Sequence, residues 1–195
     1  STLFPYTTLF RSKICDVAGL QILVEHMRRR AGSQGRRQTG GLAVWRWNDP
    51  WPAISWSVID AFGQPKLAYE TLRRIYQPVL VSLEYPLRAY RPNDQLCGTL
   101  WVVNDRLEAL VDCHLTVWLD DGLVHEQDCS ALANTATPIG QVAVDLPAGF
   151  AELRLELRQR NDLLAQNVYD LRFHDRSPRR LDQILRRRLV DIILG

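Results

Sequence analysis

The sequence lacks the features that mark membrane, nucleic-acid and zinc-binding proteins. No apolar run approaches the roughly 20 residues that a membrane-spanning helix needs. The 24 basic and 22 acidic residues nearly cancel, and the net charge of +2 is too small to indicate a nucleic acid or an anionic membrane as partner. The four cysteines show neither a Cys-x-x-Cys pair nor the Cys/His spacing of a zinc site, so we expect no metal and no cofactor.

The cysteines and the first residues also bear on the cellular compartment. Cys97, Cys113 and Cys129 stand among apolar residues or at strand ends, which favours thiols over a disulfide. The first residues lack the charged, apolar and small-residue regions of a signal peptide. Because a piece of a longer protein would have lost such a signal, the localisation stays open, with the cytoplasm slightly favoured. The oligomeric state has no signature in the sequence.

The first twelve residues are predicted to be an artefact of sequence assembly. Residues 2–12 read TLFPYTTLFRS, which resembles the in-frame translation of a common sequencing-library adapter. A coincidence over this length is very improbable. We therefore leave 1–12 out of the fold prediction and expect an incomplete gene product, of the kind assembled from metagenomic reads, that was cut near Lys13.

Residues 13–79 show the patterning of helices around a buried strand. Apolar side chains recur at helical spacing from Val17 to Arg30, and a Gly-rich, basic loop follows. The run Gly40–Trp47 is typical of a buried parallel strand that comes after a helix. Two prolines end this run, because proline removes a backbone donor, and a second helix is predicted over Lys66–Tyr76.

From residue 80 the pattern changes to the period of two that β-strands show. Apolar Leu153, Leu155 and Leu157 alternate with charged neighbours, for example, and turn residues separate the runs. Seven short strands within about 95 residues are typical of an antiparallel, immunoglobulin-like β-sandwich. The predicted strands are 79–85, 95–104, 112–120, 123–130, 137–146, 150–158 and 162–173. A short amphipathic helix is predicted over 178–194.

A dense group of aromatic residues precedes the second helix. Four of the six tryptophans fall within twelve residues, namely Trp45, Trp47, Trp51 and Trp56. An indole face stacks on the C–H face of a pyranose, and its N–H can reach a hydroxyl. Asn48 and Asp49 add donors and acceptors at the carboxyl end of the predicted strand, where a (β/α)8 barrel builds its active site. The segment therefore suits sugar binding.

This segment, residues 41–82, resembles the last barrel strand and helix of β-mannosidase-like glycoside hydrolases of family two. Their pattern there is roughly G-x-L-x-W-Q-L-N-D-x-W-P-x-x-S-W-S-x-x-D-x-x-G-x-x-K-x-x-Y. The chain departs from it at Arg46 and Trp47, where Gln and Leu are usual, which alters either the sugar pocket or the packing beside it. Later, only the placement of the sandwich and an Asn167-x-Tyr169 pattern match. The positions in register are Gly41, Trp45, Asn48, Asp49, Trp51, Pro52, Ser55, Trp56, Ser57, Asp60, Gly63, Lys66 and Tyr69.

The resemblance implies a mixed fold and a particular chemistry. Residues 13–79 would be the last βα units of a (β/α)8 TIM barrel, 80–175 the immunoglobulin-like sandwich and 176–195 a helical tail. The family implies retaining, exo-acting hydrolysis of terminal β-linked mannose by two glutamates about 5 Å apart. Both would lie on earlier strands, upstream of Lys13, and Glu25 in mid-helix matches neither. We therefore expect no catalytic residue here, and a chain that is inactive alone.

The candidate substrate-binding residues follow from the same alignment. Trp45 matches the tryptophan that floors the subsite for the terminal sugar in the family. Trp51 fits a pocket rim as well as it fits structural packing. Asn48 and Asp49 are candidates too, although such residues commonly bond the backbone of a tight loop. The carbohydrate would be bound through the complete barrel.

The remaining aromatic residues are predicted to have structural roles. Trp47 alternates with Trp45, so its side chain is expected to point into the helical shell. Trp56 and Tyr69 are predicted to pack, and Trp101 and Trp118 to lie in the sandwich core or on a strand surface.

Two other functions stay open. The first is a family-two enzyme that acts on another β-sugar, such as a galactoside, glucuronide or glucosaminide. The second is a non-catalytic carbohydrate-binding or scaffold module. The Asn-Asp-x-Trp-Pro form favours the mannosidase, and the barrel-end segment argues against a free-standing binding module.

Overall fold

Two helices precede an antiparallel sandwich. The computed structural model describes residues 6–31, 39–52, 55–88, 90–147 and 151–171, with side chains from residue 17 onward. The predicted helix over 178–194 lies outside the described residues. The elements are α1 (Tyr6–Arg29), α2 (Leu67–Ile75), β1 (Val79–Glu84), β2 (Gln95–Asn104), β3 (Leu110–Leu119), β4 (Gly122–Ala131), β5 (Thr135–Asp145), β6 (Ala151–Gln159) and β7 (Asp162–Leu171).

The strands form two sheets, which confirms the predicted sandwich. One sheet has the order β1-β2-β5 and the other the order β4-β3-β6-β7, and every pairing is antiparallel. The bounds of β2 are those predicted, and the other strands differ by one or two residues at their ends. Shifts of this size are expected because hydrogen bonding frays at strand ends.

The main core lies between the two sheets. Leu153, Leu155 and Leu157 of β6 are fully buried and pack with Leu100 of β2 and Leu115 of β3. Their charged neighbours on β6 stay partly exposed, so the period of two in the sequence corresponds to one dry and one wet face.

A second core joins the helices to the outer face of the three-stranded sheet. The buried residues of β1 point to both sides: Val81 faces the inter-sheet core, whereas Leu80 contacts the helices. Val24 of α1 and Ile75 of α2 pack in this second core, together with Val103 of β2. The sandwich and the helical segment therefore share an apolar interface, which fixes where residues 39–66 lie.

The helices differ from the prediction at their ends. Helix α1 begins at Tyr6 rather than Val17 and ends at Arg29. Its early start has a simple reason: no proline or glycine occurs between Tyr6 and Val17, so nothing in the backbone interrupts the helix. No helix among the described residues is long and apolar enough to cross a membrane.

The predicted buried strand over residues 40–47 is wrong. Residues 40–47 form no strand, and the nearest pairing is an isolated parallel bridge between Asn48 and Ile59. A buried parallel strand needs hydrogen-bonded neighbours on both sides, and the described residues supply none. The backbone turns instead, with Arg46 in the left-handed region at φ 67°. The barrel arrangement proposed for 13–79 therefore remains a prediction.

Candidate functional site

The segment that follows Trp47 is folded back on itself by backbone hydrogen bonds. The carbonyl of Trp47 accepts from the N–H groups of Val58 and Ile59, at 3.1 and 3.0 Å. The N–H of Asp49 donates to the carbonyl of Ile59 at 3.1 Å, and that of Lys66 to the carbonyl of Val58 at 2.9 Å. These bonds bring Trp47 and Asp49 against the end of the tryptophan-rich segment, and bring that end against Lys66, the residue that precedes α2.

A group of four buried or half-buried side chains, the lysine hub, holds this fold together. It consists of Asp49, Ser55, Ser57 and Lys66. The Lys66 Nζ donates to Asp49 Oδ2 at 2.6 Å and to Ser57 Oγ at 2.7 Å. The Ser55 hydroxyl contacts Asp49 Oδ1 and lies 3.0 Å from Ser57 Oγ, and Ser57 Oγ donates to the carbonyl of Ile59 at 3.0 Å.

The hub has a marked effect on the acidity of its carboxylate. The Lys66 ammonium and the Ser55 hydroxyl hold the pKa of the Asp49 carboxyl well below its usual range, because both bind the charged form. Asp49 is buried, whereas its neighbour Asn48 is exposed. Of the two predicted polar site residues, only Asn48 therefore presents its side chain to solvent.

Four tryptophans, Trp45, Trp47, Trp51 and Trp56, lie close to the hub residues in the sequence and are largely exposed; we call them the tryptophan cluster. The exposed fractions are 82%, 52%, 62% and 70%, respectively. Trp47 makes an edge contact with Tyr69 of α2, with ring centroids 6.0 Å apart. The prediction that Trp56 is a packing residue is wrong for the described residues, because its side chain is mostly exposed. Tyr69 does pack against the helical core, as predicted.

One groove of about 550 Å³ lies beside the cluster. Its walls come from Leu20 and Leu23 of α1, from Trp45, from Trp56 and from Lys66 and Leu67 at the start of α2. The structure thus brings Trp45 and Trp56 together on one concave surface. Trp51 and Asn48 do not line this groove.

A further buried cluster, which the sequence did not reveal, joins α1 to the sandwich. The Glu25 carboxylate is 1% exposed and accepts from Asn167 Nδ2 at 2.7 Å, from Gln21 Nε2 at 2.9 Å and from the Tyr169 hydroxyl at 2.8 Å. The Arg29 guanidinium lies 3.7 Å from the same carboxylate. Burial raises the pKa of Glu25, although its hydrogen bonds and Arg29 act in the opposite direction.

This Glu25 cluster explains the Asn167-x-Tyr169 pattern. Residues two apart on a strand share a face, so both side chains of β7 point inward, toward β1 and α1. Two polar residues at inward positions of an apolar strand are the signal that predicts a buried polar partner, but only the fold reveals that the partner is Glu25. The cluster holds α1 on the sandwich and is closed to solvent.

The tryptophans of the sandwich do not lie between the two sheets, and Trp101 packs against the second core beneath the helices. Trp101 is half-buried, and its N–H donates to Glu84 at 3.0 Å. Trp118 is also half-buried, and its N–H donates to Thr116 at 3.0 Å. Across the described part of the chain, no three His, Cys, Asp or Glu side chains are arranged to hold a metal ion.

Comparison with known proteins gives the class to which the chain is related. No family model matches it. The β-mannosidase B of Thermothelomyces thermophilus is 37% identical over 94 residues, which cover 43% of this chain and 11% of the relative. The β-mannosidase B of Aspergillus flavus is 39% identical over 77 residues, or 40% of this chain and 9% of the relative. These relatives are glycoside hydrolases, and the chain spans about a tenth of their length.

Solved structures share the fold. The β-D-mannosidase of Dictyoglomus thermophilum superposes with a TM-score of 0.62 and 24% identity, over 84% of this chain and 19% of that one. The exo-chitosanase of Amycolatopsis orientalis gives 0.64 and 18%, over 85% and 19%. The resemblance found in the tryptophan motif is thereby confirmed: the chain is similar to the C-terminal part of β-mannosidase-like glycoside hydrolases of family two.

Proposed function

We propose that the chain is the C-terminal part of a retaining exo-glycosidase that hydrolyses terminal β-linked mannose. In this proposal, residues 13–79 are the end of its catalytic barrel and 80–175 the sandwich that follows. The names and identities of the curated relatives support the substrate class, and the tryptophan motif supports the position within the barrel.

The observation that carries the proposal is the placement of Trp45. Its indole is 82% exposed and lies on the wall of the same groove as Trp56, so a flat aromatic face is available to stack on a pyranose. Trp51 and Asn48 are exposed as well and would contact the sugar from the rim. Asp49 would act indirectly, because its carboxylate is engaged by Lys66 and Ser55.

The same proposal predicts that the chain alone is inactive. Retaining hydrolysis needs two carboxyl groups about 5 Å apart, one as nucleophile and one as acid/base. No Asp or Glu of the described residues lines the groove. Glu25 and Asp49 are buried in networks of their own and face no open space. The sugar-cleaving pair would therefore come from residues upstream of Lys13.

A chimera tests the proposal. Residues 13–171 replace the matching part of the β-D-mannosidase of Dictyoglomus thermophilum, whose fold they share. The chimera is assayed with aryl β-mannoside, β-galactoside, β-glucuronide and β-glucosaminide, and its folding is checked by thermal melting. We expect the highest kcat/KM on the mannoside.

The other outcomes identify the alternatives. A folded chimera that prefers the glucosaminide, galactoside or glucuronide assigns the chain to another family-two specificity. A folded chimera that cleaves none of them contradicts the glycosidase proposal. A non-catalytic module is then favoured if the chain still binds sugar.

A further inference from the structure

Lys66 is an unusual residue in this chain. The chain has 24 basic residues, of which only Lys13 and Lys66 are lysines. The side chain of Lys66 is 13% exposed, and that of its partner Asp49 is 2% exposed. Burial of a lysine ammonium costs desolvation free energy, so an opposite charge and hydrogen-bond acceptors must lie close to it. Here both are supplied, by the 2.6 Å contact with Asp49 and the 2.7 Å contact with Ser57.

The position of Lys66 in the fold is equally specific. It is the residue that caps the start of α2, but its side chain makes no capping hydrogen bond to the helix. The side chain reaches instead into the segment that carries the tryptophans. Asp49 stands two residues before Trp51, and Ser57 directly follows Trp56. One ammonium therefore binds both flanks of the stretch that presents these two indoles.

A lysine suits this position better than an arginine. An ammonium is a compact point charge with three donors that can diverge, whereas a guanidinium is a planar fork that prefers two coplanar acceptors. The acceptors here, a carboxylate and a hydroxyl, come from different parts of the backbone. The choice of lysine in an arginine-rich chain fits a requirement for this geometry.

We propose that Lys66 is a positioning residue: its buried ammonium, bound to Asp49 and Ser57, holds the tryptophan cluster in the arrangement that presents Trp51 and Trp56 to a sugar. The sugar part of this inference rests on the proposed function, whereas the positioning part does not. A competing explanation is that Lys66 contacts the sugar itself, because it also lines the groove beside Trp45 and Trp56.

The first measurement addresses positioning without any sugar. Amide hydrogen exchange is followed by NMR at Asp49, Val58 and Ile59, whose N–H groups bridge the segment. In Lys66→Met, which keeps the chain length but removes the charge, we expect exchange to rise at least tenfold at these amides. Lys66→Arg should recover part of the protection. The matched control is Arg73→Met, because Arg73 lies on the same helix but is exposed and bonded to Glu70.

The indole N–H signals provide a second reading of the same variants. The signals of Trp51 and Trp56 should shift or broaden in Lys66→Met. The signal of Trp118 should stay, because its partners Thr116 and Arg154 are in the sandwich. Trp101 is not a control, because it packs against the core that contains Val58. Equal disturbance of the Trp51, Trp56 and Trp118 signals, or exchange within twofold of the wild type, overturns the proposal.

Titration with methyl β-mannoside is carried out on the Dictyoglomus chimera, in which the rest of the barrel is present, and it separates the two explanations and the two levels of the inference. If Lys66→Met weakens binding while exchange and indole signals stay as in the wild type, Lys66 contacts the sugar and the positioning proposal is refuted. If the wild type shows no indole shifts with the sugar but Lys66→Met still frees the segment, positioning holds and the proposed sugar contact fails. Loss of both binding and protection, with partial recovery in Lys66→Arg, is the result expected.

Discussion

Replacing Glu25 tests whether the helical segment and the sandwich are joined by their buried polar cluster. Leucine at this position removes the acceptor for Asn167, Gln21 and Tyr169. It also removes the nearer of the two carboxylates beside the Arg29 guanidinium, which keeps only Glu84 at 4.0 Å. Removal of one partner from a buried charged network costs about 3–5 kcal/mol. For a chain of this size, 1 kcal/mol shifts the melting temperature by about 2–4 °C. Glu25→Leu should therefore lower it by roughly 6–20 °C.

The assay is urea unfolding followed by circular dichroism, with thermal melts beside it. Glu70→Leu is the matched control, because Glu70 is a half-exposed helix glutamate whose contact is Arg73 at 3.0 Å. Its effect should stay within about 0.5 kcal/mol. If Glu25→Leu costs no more than Glu70→Leu, the buried cluster does not stabilise the junction and the reasoning fails.

The pH dependence of stability, compared between the wild type and Glu25→Gln, provides a second test of the Glu25 cluster. The pKa of Glu25 is raised above its usual 4.5, mainly by burial. The folded state therefore binds the proton more tightly than the unfolded state. The contribution of this proton to the free energy of unfolding is complete below about pH 4.5 and is lost as the pH rises through the folded-state pKa of Glu25. Relative to Glu25→Gln, the wild type should gain stability when the pH falls from 7.5 toward 4.5, and a constant difference across this range would contradict the burial effect.

Three further outcomes are expected. The chain alone should not hydrolyse aryl β-mannoside. Hydrolysis above the buffer rate that disappears when a carboxylate of this chain is replaced would refute this prediction. Since Lys66 and Ser55 depress the pKa of Asp49, protection of the tryptophan segment should be complete above about pH 4 and should fall progressively below it, toward the lower folded-state pKa. Asp49→Asn should reduce protection at pH 7 and remove this pH dependence, and hydrogen exchange measures both effects. In the Cys15→Ser variant at pH 8, the exposed Cys97 should react with a maleimide before the half-buried Cys129, because burial raises the pKa of Cys129 to about 11. Mass spectrometry of the labelled peptides gives the order of reaction, and labelling of Cys129 before Cys97 would contradict the prediction.

The sandwich could be predicted from the sequence because its signal is local and regular. In β6, apolar and charged residues alternate without interruption, and the strand they predict differs from the observed one by a single residue at each end. The turns between strands carry Asn, Asp and Gly, which set strand ends by backbone conformation alone. No long-range information is needed for such an element.

The segment that precedes α2 could not be predicted in this way. The apolar run 40–47 has the composition of a buried strand, but strand formation depends on neighbours that the run itself does not encode. The hub of Asp49 and Lys66 was missed for a related reason. The two residues are 17 positions apart, and only the backbone bonds of Trp47 with Val58 and Ile59 bring them together.

The candidate site could likewise be predicted only in part. The sequence motif singled out Trp45, Trp51 and Asn48, and the structure leaves all three exposed. It also singled out Asp49, which the structure buries as the acceptor of Lys66. Motif residues that bind a ligand and those that hold the binding loop occur in the same pattern, so sequence alone does not separate them.

The most direct test of the central claim compares Trp45→Ala with Trp118→Ala in the chimera with the Dictyoglomus enzyme. Trp45 lies on the groove wall, whereas Trp118 lies on the outer face of the sandwich beside Arg154, 5.6 Å from its ring. If the chain supplies the sugar-facing end of a glycosidase site, Trp45→Ala should lower kcat/KM on aryl β-mannoside about tenfold or more, equivalent to roughly 1.4 kcal/mol of transition-state binding. Trp118→Ala should cost only stability, about 1–2 kcal/mol. Equal kinetic losses in folded proteins, or an unchanged kcat/KM for Trp45→Ala, would contradict the claim.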